Sequence, residues 1–187
     1  EEVFGSKIDL DAVVQASLED DLVELISDSS RGVEWVDIIC QKDSSVQILE
    51  SLVEVGVIAI DPTNFEHFRI DNAIPGSDRE YGEHANPIEA GLLSLIDFDK
   101  GCYVGQEVIA RLDAYDKVQR NIRVLKSSTS LTEGTKLLSG TKPAGVVTSA
   151  SQMQTGSGEF LSLALVRMKF IEAGTELDAD GVTVTVR

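Results

Sequence analysis

The chain reads as an α+β protein in two parts, a mixed helix-and-strand region to about residue 117 and a small antiparallel β-domain over 118–187. Two observations predict this. Before Gln119, apolar residues at helical spacing alternate with short extended apolar runs. Beyond it, short β-branched runs are cut at regular intervals by glycine turns, the cadence of an antiparallel barrel or sandwich.

Taken in order, residues 7–27 carry Leu10, Val13, Val14 and Leu18 and then Leu22, Val23, Leu25 and Ile26, a near-helical spacing interrupted by Glu19-Asp20-Asp21. A helix is predicted there. Gly32 to Cys40 alternates apolar and polar residues and predicts a strand. Asp43-Ser44-Ser45 supplies an N-cap signal for an amphipathic helix through Val46, Ile48, Leu49, Leu52 and Val53, closing near Gly56. Val57-Ile58-Ala59-Ile60 then predicts a short strand ending at Asp61-Pro62. A short helix is expected over Asn64–Arg69, a loop from Asn72 to Pro87, an apolar helix or turn at Ile88–Ile96, and a helix from about Gly105 to Tyr115. In the last part, strands are predicted at Ile122–Leu125, Gly145–Ser149, Phe160–Val166 and Val182–Val186. Their turns fall at Glu133-Gly134, Ser139-Gly140, Gly156-Ser157-Gly158 and Asp180-Gly181.

Composition narrows the partners. The 187 residues are 42% hydrophobic and 26% charged, enough for a real core. No signal peptide and no membrane-crossing run is read, and two cysteines make no disulfide framework, so a cytoplasmic, reducing compartment is expected. The net charge of −16 repels a phosphate backbone, and direct nucleic-acid binding is not expected. The densest basic stretch, Lys117, Arg120, Arg123 and Lys126, reads as a solvated edge leading into a strand. His67 and His84 lack ligand partners at helical spacing, so no metal site is expected.

One segment concentrates chemistry. Lys100-Gly101-Cys102-Tyr103-Val104-Gly105-Gln106-Glu107, running on to Arg111, sets a cysteine between two glycines and beside a cation. A neighbouring lysine favours the thiolate, the reactive form. Residue types leave Cys102 as either a functional thiol or a packed one, whereas Cys40, in an apolar run, reads as core. Glu107 and Arg111 are four apart, the spacing of a helical ion pair, or they join Gln106 as a polar rim. Glu34 opens a strand beside Trp35 and gains interest if its carboxylate faces a planar amidine-like ring.

The octet, followed closely by Ala110-Arg111, resembles the signature of the YgfZ-type folate-binding proteins, relatives of the glycine-cleavage aminomethyltransferases (T-proteins). Arg69 to Pro75, Pro87-Ile88-Glu89-Ala90-Gly91-Leu92 and Gly32-Val33-Glu34 resemble three further family segments, and the likeness spans about 30–187. It implies the second part of an aminomethyltransferase-like folate-binding domain over 1–117, incomplete at its N-terminus, and a C-terminal β-barrel over 118–187. It further implies that Glu34 and Arg69 contact tetrahydrofolate. Cys102 would be the functional thiol, and Lys100, Gly101, Tyr103, Gly105, Gln106, Glu107 and Arg111 its motif loop. The chain departs from the pattern at Phe65, where a second folate-contacting arginine stands, and at Ala73 and Asp78, where glycine is usual. The function implied is a tetrahydrofolate-binding accessory protein that supports iron–sulfur proteins through client or assembly partners, with any tRNA role indirect. In a eukaryote its place would be the mitochondrial matrix. The alternatives are a tetrahydrofolate-dependent aminomethyltransferase and a binding module without chemistry.

Overall fold

The computed structural model describes residues 9, 11–18, 21–29, 33–83, 85–114 and 118–187. Leu10, Glu19, Asp20, Gly32, His84, Tyr115 and Lys117, which entered the sequence reading, lie outside them. The chain divides into two compact units, Glu1–Asp61 and Pro62–Arg187.

The first unit is a three-stranded antiparallel sheet in the order β1 (Val13–Leu18), β2 (Asp21–Asp28), β3 (Trp35–Ile39), followed by helix α1 (Ser45–Glu54). The helix expected over 7–27 is therefore a hairpin. Its burial follows a period of two, with Val23, Leu25 and Ser27 buried in alternation while Leu22 is exposed. Of the acids read as an interruption, Asp21 opens β2, and Glu19 and Asp20 lie outside the described residues. Ala16, Val23 and Leu25 pack with Ile48 of α1, and Ile38, Cys40 and Leu52 close this small core. The helix ends as predicted, with Gly56 at φ +94°. Val57–Ile60 forms no strand. It lies outside every ladder, with Ile58 84% exposed, because an extended apolar run becomes a strand only where a sheet edge receives it.

The second unit holds α2 (Pro62–Asp71), a long irregular segment, α3 (Gln106–Ala114) and a closed antiparallel barrel. The barrel order is β4 (Arg120–Ser127), β7 (Phe160–Arg167), β6 (Lys142–Gln154), β5 (Lys136–Ser139), β8 (Glu176–Ala179), β9 (Val182–Val186), with β9 returning to β4. The α+β class and the terminal barrel match the prediction, with closure rather than a sandwich removing the sheet edges. Inside it pack Leu125, Leu137, Val147, Val166, Leu177 and Val184. Ile70 of α2 meets Ile122, Val124, Leu161 and Leu163 in a separate cluster. β7 thus buries both faces, which is why Phe160–Val166 reads as a continuous apolar run rather than an alternating one. Gly145 is fixed by close approach, since a Cβ there would stand 2.5 Å from the Leu165 carbonyl oxygen.

The described cations of the basic stretch do not share one face. Arg120 and Lys126 lie on one side of β4 and Arg123 on the other, because a spacing of three changes face on a strand. Arg120 pairs with Glu89 and Lys126 with Glu159, while Arg123 donates to Asn121 and to the Ile122 and Ile171 carbonyls. No helix among the described residues is long and apolar enough to cross a membrane.

Candidate functional site

The cysteine loop is built from its ends. Asp97 accepts the backbone N–H groups of Asp99 and Lys100 at 2.8 and 3.1 Å, fixing the entry turn. At the exit, Gly105 adopts φ +92°, a left-handed conformation that L side chains rarely take, and α3 starts at the next residue. Gly101 has no such requirement. Between them Cys102 is an exposed free thiol and Val104 is fully exposed. The Lys100 ammonium sits 4.7 Å from the centre of the Tyr103 ring, so its cation–π partner is within the motif itself. On α3, Ile109 is the buried anchor. Glu107 and Arg111 are exposed and form no ion pair with each other, so the expected helical pair is not made.

Arg69 has a different character. Its side chain is 5% exposed, and all five of its N–H donors are used within the protein. Nε and Nη2 donate to the two Glu66 oxygens at 3.0 and 2.6 Å, and Nη2 also reaches Ser149 Oγ at 2.7 Å. Nη1 donates to the Ile74 carbonyl at 2.8 Å and to Glu80 Oε2 at 3.0 Å. Glu80, fully buried, also accepts from Ser149 Oγ at 2.6 Å and from the Gly76 N–H at 2.8 Å. A Cβ on Gly76 would come within 3.3 Å of both Arg69 and Glu80, so glycine lets the loop lie against the pair. The cluster joins α2, the 74–81 loop and barrel strand β6. Burial raises the Glu66 carboxyl, but Arg69 and Arg79, hydrogen-bonded and close in charge, bring it net below its ordinary value. Burial opposes the Arg69 charge, and the Glu66 and Glu80 carboxylates outweigh it and raise its pKa.

Two residues noted as departures from the resembled pattern have left-handed backbone. Ala73 has φ +54° and Asp78 φ +61°, so both stand where glycine is favoured. Phe65 is partly exposed on α2. Glu34 is an exposed carboxylate just before β3, in the first unit, whereas Arg69 and Cys102 belong to the second. Sequence reading missed Glu66, Glu80 and Ser149, and it named Arg120 and Glu89 without their bidentate pairing at 3.1 and 2.9 Å. Only Glu66 announced itself, three residues before Arg69 on a helix. His67 is hydrogen-bonded to Ser151 at 2.7 Å, and among the described residues no three His, Cys, Asp or Glu side chains converge as a metal site.

Comparison with known proteins places this architecture. No protein-family model matches the chain. It is 34% identical over 116 residues to a chloroplastic putative transferase of Arabidopsis thaliana, a match covering 62% of this chain and 27% of the relative. It is 26% identical over 151 residues to an aminomethyltransferase of a Nostoc species, covering 80% and 40%, and 23% identical over 184 residues to one of a Geobacillus species, covering 92% and 50%. The crystal structure of the glycine cleavage system aminomethyltransferase T from Bartonella henselae superposes with a TM-score of 0.69 at 18% identity, over 88% of this chain and 48% of that one. The chain therefore has the aminomethyltransferase fold of the glycine-cleavage T-protein. It spans half or less of the length of these curated relatives.

Proposed function

We propose that the chain is part of a tetrahydrofolate-binding accessory protein of the YgfZ type, with Cys102 as its functional thiol and iron–sulfur proteins as its clients. The observation that carries this reading is the presentation of Cys102, an exposed thiol on a loop turned by Gly105 and set directly before α3. A thiol that served packing would be enclosed. In this reading residues 1–117 belong to the folate-binding domain and 118–187 to the barrel domain. The exposed Glu34 carboxylate suits a pterin, since its two oxygens can accept paired N–H groups from an amidine-like ring edge. Arg69 has no donor left for a ligand, and its part would be to hold the 74–81 loop in place. Tetrahydrofolate, when bound, would supply a one-carbon carrier.

A second reading, a tetrahydrofolate-dependent aminomethyltransferase, draws on the Nostoc and Geobacillus relatives that carry that name. The two separate in one experiment on the native full-length protein. Cys102→Ala should abolish support of iron–sulfur enzyme activity in cells while leaving the melting temperature unchanged. Formation of methylenetetrahydrofolate from an aminomethyl donor, undiminished by Cys102→Ala, would overturn the first reading in favour of the second.

A further inference from the structure

A cavity of about 510 Å³ opens on the barrel where the end of β7 and the turn after it meet the start of β6. Its polar wall is made by Lys142, Arg167 and Lys169, and its apolar wall by Pro143, Met168 and Phe170. Among the described residues no carboxylate lines it. This is unusual in a chain with 32 acidic and 16 basic residues, where a basic side chain meets an acid by default. A second cavity of about 320 Å³ shows the ordinary case, since Asp78 and Glu133 line it beside Arg79 and Arg120, which are themselves paired with Glu66 and Glu89. Among the described residues Lys142, Arg167 and Lys169 form no ion pair. Arg167 even stands directly opposite Arg120 in the β4–β7 ladder, and Glu89 neutralises only Arg120.

Three cations held together without a counter-charge repel one another, and an anion bound among them relieves that repulsion. The backbone makes the arrangement firm, since the Met168 N–H donates to the Gln119 carbonyl at 3.0 Å and Phe170 packs on the barrel core. Met168 remains 38% exposed, an apolar platform beside the charges. We propose that this cavity binds a small organic polyanion, in which phosphate or clustered carboxylate groups are joined to a flat apolar body. The anionic end meets Lys142, Arg167 and Lys169, and the flat part lies on Met168 and Phe170. The site is independent of the folate reading.

The probe is trinitrophenyl-ATP, a triphosphate carrying a flat aromatic ring, titrated into the intact chain and followed by fluorescence. Saturable binding is expected, with inorganic tripolyphosphate competing for the site. Lys142→Glu and Arg167→Glu should each raise the dissociation constant by about tenfold or more. Lys136→Glu, the same charge change on an exposed β5 position outside the cavity, should leave it within about twofold. All three positions are exposed, and matching melting temperatures will establish that each variant is folded. Absence of saturable binding, indifference to tripolyphosphate, or equal weakening by Lys136→Glu would overturn the proposal.

Discussion

Replacing Arg69 by methionine removes the buried cation of the α2–loop–β6 cluster while keeping much of the side-chain volume. The cost can be worked from its partners. Glu66 keeps Arg79 at 2.7 Å and is partly exposed, so it loses little. The Ile74 carbonyl loses a donor, at about 1 kcal/mol. Glu80 is fully buried and loses its ion-pair partner, although Ser149 and the Gly76 N–H still donate to it. Breaking a buried pair from one side costs about 3–5 kcal/mol, and the two surviving donors set the expectation at the lower end, about 3 kcal/mol. For a chain of this size that is a fall of about 6–12 °C in melting temperature. The assay is thermal and urea unfolding of the wild type, Arg69→Met, Glu80→Gln and the double variant. Neutralising Glu80 should recover part of the Arg69→Met loss, giving a coupling of about 2 kcal/mol in the cycle. A melting temperature within about 2 °C of wild type for Arg69→Met, or additive single effects, would refute the view that Arg69 is spent on structure.

Further outcomes follow from the same geometry. Gly105→Ala should cost about 1 kcal/mol, because φ +92° penalises any Cβ even in open space, whereas Gly101→Ala should be silent; hydrogen exchange along α3 reads the difference. Gly145→Ala should destabilise the barrel by about 2 kcal/mol or more, as a Cβ meets the Leu165 carbonyl at 2.5 Å, and urea unfolding measures it. Acid stability should reflect Glu66. Its folded pKa lies below the ordinary 4.5, so its contribution is present above that value and is lost as the pH falls through the folded pKa. Melting curves from about pH 6 to pH 3 should therefore fall less steeply for Glu66→Gln than for the wild type.

The barrel was legible because its apolar, β-branched runs are separated by glycines that take positive φ, as at Gly134, Gly140, Gly158 and Gly181. β5 and β8 escaped notice, since a four-residue strand carries too little alternation to stand out. The 13–28 hairpin was misread because Val13, Val14, Leu22 and Val23 fit a helical spacing as well as a strand one. Only tertiary pairing with β3 decides between them. Val57–Ile60 failed for the opposite reason, since the local signal for a strand was present and no ladder received it. The cysteine loop was readable from residue types and from glycine. The Arg69 cluster was not, because Glu80 and Ser149 lie 11 and 80 positions away in sequence and meet the guanidinium only through the packing of α2 on the barrel.

The most direct test of the account is an anaerobic calorimetric titration of tetrahydrofolate into the protein, run beside Glu34→Ala. The account predicts saturable binding in the wild type that Glu34→Ala weakens by about tenfold or more, the loss of a charge-assisted pair. Binding unchanged by Glu34→Ala, or no binding by the native full-length protein, would contradict it.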